Sequence, residues 1–222
     1  MQTIPFYKAE QELRQLSQAC LRTLAHKGQL LRFKPGSSVI TQGQRGHEVY
    51  LVLDGKFIAF VHSEGHKERR LILDTLQPSD IFGEISHEGD LRTASIFATQ
   101  TSMCAMLHGE TFMKQCEQDH QLQQYLMQTC FKRNRSNIRL LTHTIFSDIY
   151  TRLTDLLMKL ATQVSPKYFH IPERITHQEL ANWVGCSREM ISRLLKDLQK
   201  GGYISRHKDQ TIVLHPPLPL RW

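Results

Sequence analysis

The stretch from Thr176 to Leu198, T-H-Q-E-L-A-N-W-V-G-C-S-R-E-M-I-S-R-L-L-K-D-L, leaves few ways to fold. It reads as two short helices around a tight turn. Thr176 followed three residues later by Glu179 is a capping box, which satisfies free backbone N–H groups at a helix start. Leu180, Ala181 and Val184 share one helical face, and Ala181 is small where two helices must approach closely. Gly185 comes four residues after Ala181, where the turn needs a backbone angle that glycine adopts cheaply. Ser187 caps the second helix. Ile191, Leu194, Leu195 and Leu198 give that helix an apolar stripe. Docking the stripe on the first helix turns Arg188, Glu189, Ser192, Arg193 and Lys196 outward.

Those outward residues suit duplex DNA. Arginine can bond in a fork to guanine O6 and N7, and glutamate can accept from the cytosine amino group. Arg188, Glu189 and Arg193 lie toward the N-terminal end of the second helix, the end that a helix-turn-helix inserts into the major groove. The alternative is an ordinary helical hairpin with a solvated charged face. The capping box, small alanine, turn glycine and basic face occur together at consistent spacings, which that alternative does not explain.

Charge placement agrees. The net charge of +7 is uneven. Residues 1–119 carry 13 basic and 14 acidic side chains, residues 120–146 carry 4 basic and none acidic, and residues 147–222 carry 11 and 7. A polyanion partner for the C-terminal half accounts for that asymmetry. Cys20, Cys104, Cys116, Cys130 and Cys186 are odd in number and form no CxxC pair. Reduced thiols are expected rather than a disulfide frame or a zinc site. The N-terminal residues lack the apolar core of a signal peptide. No apolar run approaches the roughly 20 residues of a membrane span. A soluble cytoplasmic protein with no membrane partner is the expectation.

Residues 9–27 read as one amphipathic helical segment, with Leu13, Leu16, Cys20, Leu21 and Leu24 near helical spacing. From Leu30 to Leu107 short apolar runs (49–53, 57–61, 71–76, 94–98) alternate with turn signals: P-G at 35–36, Q-G at 42–43, D-G at 54–55, E-G at 64–65 and P-S-D at 78–80. Such a pattern predicts an all-β barrel or roll. D-G between V-Y-L-V-L and K-F-I-A-F predicts a hairpin. A long helix follows, from about Glu110 or His120 to Phe146. Within it Met127, Phe131, Asn134, Ile138, Leu141 and Ile145 are spaced 4, 3, 4, 3, 4, a coiled-coil seam with one polar position. A symmetric dimer seam is favoured over packing on the β-roll, because DNA readers of this kind work in pairs on two half-sites. Lys132, Arg133, Arg135 and Arg139 are read as solvated, with the alternative that some reach an effector or hold charge balance. Asp148–Thr162 is a further amphipathic helix, and 164–174 a loop. After the helix-turn-helix, G-G-Y-I-S-R-H-K-D-Q-T-I-V-L-H reads as strand, turn, strand. That is a β-wing whose Arg206, His207 and Lys208 are placed to meet phosphates.

The order β-roll, long helix, winged helix resembles the Crp/Fnr family of bacterial transcription regulators. The similarity covers nearly the whole chain. Its most specific segments are Q-G at 42–43, V-Y-L-V-L-D-G at 49–55, D-I-F-G-E at 80–84, R-T-A at 92–94, and V-G-C-S-R-E at 184–189 with Arg193. The resemblance implies an α+β chain of three parts. Residues 1–119 form a cyclic-nucleotide-binding-type β-roll sensor with its N-terminal helix. Residues 120–146 form a dimerisation helix, and 147–222 a winged helix-turn-helix. It implies a homodimeric, sequence-specific regulator bound to double-stranded DNA. Arg188, Glu189 and Arg193 match the family's base-reading residues, which implies a half-site like TGTGA. Ser187 matches a phosphate contact. His177 stands where catabolite-activator-like members carry arginine for phosphate. The expected DNA surface is Thr176, His177, Ser187, Arg188, Glu189, Ser192, Arg193, Lys196, His207 and Lys208.

Gly83, Glu84, Arg92 and Thr93 resemble the family's cyclic-nucleotide phosphate cassette. Glu84 suits a ribose hydroxyl, and Arg92 suits a phosphodiester through charge-assisted bonds. Asn137 and Ile138 align where cyclic-AMP receptors place hydroxyl residues against adenine. The cassette is shorter than in those receptors, and His87 replaces an apolar residue. Three readings stay open: a cyclic nucleotide such as cyclic AMP, another small effector, or no ligand, with Glu84 and Arg92 paired to each other. An iron–sulfur sensor fails for lack of an N-terminal cysteine cluster. A haem sensor would draw on lone histidines such as His62, His66, His87 or His108, and thiol sensing on Cys116 or Cys130. RNA polymerase is a partner left open, because the segment that touches it in catabolite-activator-like members is shorter and different here. A cyclic-nucleotide-binding module acting through protein contacts is the competing function. No paired carboxylates, nucleophile–base motif or metal spacing suggests an enzyme.

Overall fold

A computed structural model of the chain describes residues 1–63, 66–86, 89–165, 168–207, 209 and 211–219, with backbone alone at 63 and 66–69. It divides into two compact units, Met1–Val61 with Ile72–Ser136, and His62–Leu71 with Asn137–Trp222.

One antiparallel sheet runs in the order β1 (Gln2–Thr3), β2 (Gln29–Phe33), β9 (Ser102–His108), β4 (Glu48–Asp54), β7 (Ile81–Phe82). A second is ordered β3 (Ser38–Ile40), β8 (Ser95–Ala98), β5 (Phe57–Ser63), β6 (His66–Leu76). Side chains of a strand alternate between its faces. Val49, Leu51 and Leu53 of β4 therefore join one core with Met103, Ala105 and Leu107 of β9. Tyr50 and Val52 join another with Phe33, Phe57, Phe82 and Cys104. The central strands are covered on both faces, which is why V-Y-L-V-L is an unbroken apolar run.

The hairpin expected at D-G does not form. Gly55 turns with φ +86°, but β4 already has β9 on one edge and β7 on the other. No edge is left for β5, which pairs with β8 instead. The chain crosses at this turn from one sheet to the other. Close approach makes glycine necessary: a Cβ at Gly55 would meet the Cα of Ser102 at 2.6 Å.

The expected helix over 9–27 is broken into α1 (Glu10–Gln15) and α2 (Ala19–His26). Leu16 leaves helical geometry at ψ 129°, and the Ser17 N–H donates to Ser79 Oγ rather than continuing the ladder. Leu13, Leu16, Leu21 and Leu24 still bury together. The long helix begins at the later of the two expected starts. α3 (Gly109–Gln118) ends at Asp119, whose Oδ1 accepts from the N–H groups of Gln121 and Leu122 at the start of α4 (His120–Phe146). Leu122 is the one buried residue of α4. No helix among the described residues is long and apolar enough to cross a membrane.

The second unit contains α5 (Ile149–Leu160), β10 (Thr162–Ser165), β11 (Tyr168–Ile171), α6 (His177–Val184), α7 (Arg188–Lys200), β12 (Ile204–Arg206) and β13 (Ile212–Leu214). The segment expected to be a loop, 164–174, contributes to β10 and β11, in a sheet ordered β10-β11-β13-β12. Phe169 and Ile171 reach the apolar core from β11, which is what draws this segment into the sheet. Tyr150, Leu153 and Leu157 of α5 pack in that core with Leu180, Ala181, Val184, Ile191, Leu195 and Leu198.

α6 ends at Gly185, with φ +76°. Alanine there should cost roughly 1–2 kcal/mol, because a Cβ is disfavoured in left-handed geometry. Asparagine, which tolerates that region, should cost less. Urea titration of the wild type and the two variants checks the order. Equal stability of the alanine variant and the wild type would contradict it.

Candidate DNA interface and effector cassette

The helix-turn-helix is capped as its sequence requires. Thr176 Oγ1 accepts from the Glu179 N–H at 3.1 Å, and Glu179 Oε2 accepts from the Thr176 N–H at 2.7 Å. The Ala181 carbonyl accepts from both Gly185 N and Cys186 N, which closes the turn. Ser187 Oγ accepts from Met190 N at 3.2 Å and starts α7. Ile191, Leu195 and Leu198 are buried, and Leu194 is half-buried. Arg188, Glu189, Arg193 and Lys196 are exposed.

Ser192 departs from the expected outward face. It is half-buried, and its Oγ is 2.8 Å from His177 Nδ1. His177 Nε2 is in turn 3.0 Å from Arg206 Nη2 at the end of β12. An arginine has only donors, so Nε2 must accept. The imidazole is then neutral and its Nδ1–H donates to Ser192. Burial lowers the pKa of His177 most, with the Arg206 and Arg188 charges acting the same way. In the wing, His207 is exposed and its Nδ1 lies 3.2 Å from Asp209 Oδ1. Bonds from the Thr211 hydroxyl and N–H hold the Asp209 carboxyl down to about 2. Lys208 lies outside the described residues.

In the β-roll, Gly83 turns at φ +85° after β7, and Glu84 opens a short 3-10 turn, Glu84–Ser86. Arg92 is only 5 % exposed. Its Nη1 donates to the Gly83 carbonyl at 2.8 Å, and its Nη2 to the Glu48 carbonyl at 2.9 Å and Glu48 Oε2 at 3.0 Å. A Cβ at Gly46 would meet that Nη2 at 2.5 Å. The Glu84–Arg92 pairing considered for a ligand-free roll is therefore not what the chain adopts. Glu84 Oε1 instead accepts from Arg133 Nη1 at 2.6 Å, and Arg133 Nη2 donates to the Ile81 carbonyl at 2.5 Å. Arg133, read as solvated, is half-buried. Thr93 is exposed beside Arg92, and Asn137 is exposed on α4.

Along α4, Met127, Phe131, Ile138, Leu141 and Ile145 are 52–63 % exposed, and Asn134 is exposed among them. No element among the described residues covers this stripe. Among the described residues no group of three or more His, Cys, Asp or Glu side chains is placed to hold a metal ion. Of the histidines weighed as haem ligands, His87 and the side chain of His66 lie outside the described residues.

Residues 30–119 match the cyclic nucleotide-binding domain, and residues 151–218 the Crp-like helix-turn-helix domain. The cAMP-activated global transcriptional regulator CRP of Pasteurella multocida (strain Pm70) is 30 % identical over 190 residues, covering 83 % of this chain and 88 % of that protein. The chain belongs to the Crp/Fnr family. Another member, the cAMP-activated regulator Vfr of Pseudomonas aeruginosa, is 27 % identical over 82 % of this chain and 87 % of its own. The c-di-GMP responsive global regulator CLP of Xanthomonas campestris has the same fold, with a TM-score of 0.73 at 22 % identity over 89 % of this chain and 98 % of that one. The chain is thus a DNA-binding transcription regulator of the Crp/Fnr type with a cyclic nucleotide-binding domain, and not an enzyme.

Within this Crp/Fnr frame, sequence reasoning missed Glu48 and the fixed role of Arg133. Neither lies in a motif. Their partners sit 44 and 49 residues away along the chain.

A depressed histidine pKa has a readable consequence. Below the ordinary value of 6.5 the unfolded chain takes up a proton that folded His177 resists. Stability tied to neutral His177 is complete above 6.5 and declines as pH falls from 6.5 toward the folded value. Between about pH 7.5 and 5.5, the melting temperature of His177→Gln should therefore fall less than that of the wild type. An equal fall in both proteins would contradict the assignment.

Proposed function

We propose that this chain is a homodimeric, sequence-specific regulator that reads palindromes of TGTGA-like half-sites under control of a small effector bound in the β-roll. Residues 1–119 serve as sensor, 120–146 as dimerisation helix and 147–222 as DNA reader. The observation that carries the reading is the joint exposure of Arg188, Glu189 and Arg193 on α7, which is capped at its start and packed along its opposite face. Two guanidinium groups and one carboxylate at that end of a helix have the donor–acceptor pattern for guanine and cytosine edges.

The dimer rests on α4. Five apolar side chains recur along one stripe without a covering element among the described residues. A second copy of the same stripe would bury them in a coiled coil, with Asn134 fixing the register. A cyclic nucleotide is the first effector candidate, supported by the family match over 30–119. The relatives named above answer to cAMP and to c-di-GMP, so both belong in the panel. Effector binding would act by population shift, changing packing along the Met127–Ile145 stripe and so re-aiming the two α7 helices. Coupling of this kind is typically about 1–3 kcal/mol.

Arg188→Ala and Arg193→Ala should each lower the preference for a TGTGA palindrome over shuffled duplex by roughly ten- to a hundredfold. Competition mobility shifts measure the ratio, and an unchanged ratio in both variants would overturn the reading. Ile138→Glu should shift the protein toward monomer in sedimentation velocity, and a dimer unaffected by it would place the interface elsewhere. For the effector, thermal shift is measured with cyclic AMP, cyclic GMP and cyclic di-GMP. The true ligand raises the melting temperature in proportion to its occupancy. No response to any of the three would remove the cyclic nucleotide from the proposal.

A further inference from the structure

Among the described residues three acceptors meet the Arg92 guanidinium, and they are unequal. Two are backbone carbonyls, that of Gly83 at 2.8 Å and that of Glu48 at 2.9 Å. The third is the Glu48 carboxylate, whose Oε2 accepts from Nη2 at 3.0 Å. Backbone closes in elsewhere. A Cβ at Gly46 would meet Nη2 at 2.5 Å and Nε at 2.7 Å, and one at Gly83 would meet Nη1 at 3.0 Å. The Arg92 side chain is 5 % exposed, whereas that of Glu48 is 40 % exposed. The open side of the pair is therefore the carboxylate's.

This asymmetry separates what holds Arg92 from what fills its anion position. The two carbonyls belong to β4 and to the turn after β7, and they stay with the backbone whatever side chain stands at 48. They offset part of the desolvation of a buried guanidinium. The carboxylate supplies the counter-charge from a place it can leave by side-chain rotation, since much of it already lies in water. A phosphodiester brings the same charge and the same kind of oxygen acceptor to the same donor. Bound beside an undisplaced Glu48, it would set two like charges within a few ångströms of each other.

We propose, on the reading of the β-roll as an effector site, that Glu48 sets its selectivity: the Glu48 carboxylate holds the place of the effector's phosphoryl oxygen on Arg92, and a cyclic phosphodiester binds only in exchange for it. Exchange of one anionic acceptor for another leaves the bonds to Arg92 unchanged in number. The phosphate contact then adds little net affinity, and an effector must gain its affinity from the rest of its surface. Small anions, and ligands that offer little beyond a phosphate, are thereby rejected. A neutral amide at 48 keeps the shape and one acceptor but removes the rival charge.

The test is calorimetric titration of the full chain with cyclic AMP, cyclic GMP and cyclic di-GMP, using the wild type, Glu48→Gln and Glu48→Ala. Glu48→Gln should bind at least one of the three about tenfold or more tightly than the wild type, as expected for removing a like charge close to the phosphate. Glu48→Ala should gain affinity for the same ligand, so a folding defect in one variant does not decide the question. Adding Arg92→Gln to Glu48→Gln should abolish the gain, because the gain passes through that guanidinium. A counterion with a purely structural role predicts a lower urea midpoint and no gained affinity, and that result would overturn the proposal. So would a gain that survives Arg92→Gln, or no binding of any of the three by any of the proteins. If the wild type binds and neither Glu48 variant binds more tightly, the role of Glu48 fails while the effector reading stands. If only the variants bind, cyclic-nucleotide control of the wild-type chain fails while the role of Glu48 stands.

Discussion

The reading surface depends on an apolar contact, not on its charges. Ile191, Leu195 and Leu198 of α7 are buried with Ala181 and Leu180 of α6, and each large side chain contributes roughly 1.5–3 kcal/mol. Ala181 is fully buried and its carbonyl closes the turn. A larger residue there would push the helices apart at a typical cost of about 1–3 kcal/mol. Once this contact and the two caps are made, the rotation of α7 is fixed, and with it the direction of Arg188, Glu189 and Arg193. The side chains proposed to read bases are therefore ones that contribute little to holding the unit together.

The β-roll treats its charges in the opposite way. Arg92 is nearly enclosed, and a buried guanidinium is tolerable only where acceptors meet it. The Gly83 and Glu48 carbonyls and the Glu48 carboxylate supply them. Glycine at 46 and 83 is what lets backbone come this close, since a Cβ at either position would meet the guanidinium at 3.0 Å or less. Arg133 and Glu84 form a second pair at the same turn. Any anion reaching Arg92 has to compete with Glu48 for it, and any group reaching Glu84 has to compete with Arg133. As folded, Arg92 is held by Gly83 and Glu48 and Glu84 by Arg133, so the two side chains are not an open pair of hooks.

What could be read from the sequence follows from how local each signal is. The capping box at Thr176–Glu179, the cap at Ser187 and the left-handed Gly185 involve residues within four positions, and all three form. Apolar runs located the strands, but not their neighbours. D-G at 54–55 marks a real turn, yet the edges of β4 are taken by strands about thirty and fifty residues on, so the turn changes sheets instead of making a hairpin. Helical periodicity over 9–27 was read as continuous because nothing local reveals that Ser17 bonds to Ser79. Arg133 followed the same logic. Heptad position puts it off the seam, and only the folded roll brings Glu84 and the Ile81 carbonyl to it. Arg206 and His177 are 29 residues apart and belong to different elements, so each could be placed near DNA while their bond could not.

α4 presents the sharpest imbalance in the chain. At 27 residues it is about 40 Å long, yet Leu122 alone is buried, with Tyr125 and Leu126 partly so. Helices in water owe most of their stability to burial of an apolar face. From Met127 onward that face is present in the sequence and left uncovered among the described residues. The exposed stripe is too regular for a solvated surface, because its 4-3 spacing persists through Ile145 with a single polar break. A self-complementary stripe of this kind is satisfied most simply by a two-fold partner, since one apolar pattern then meets itself at every layer. The same two-fold axis would present two α7 helices to DNA, and a palindrome is the sequence form of that symmetry. In the proposed dimer, pairing through α4 and reading of two half-sites would therefore be one constraint, imposed by the exposed side of α4.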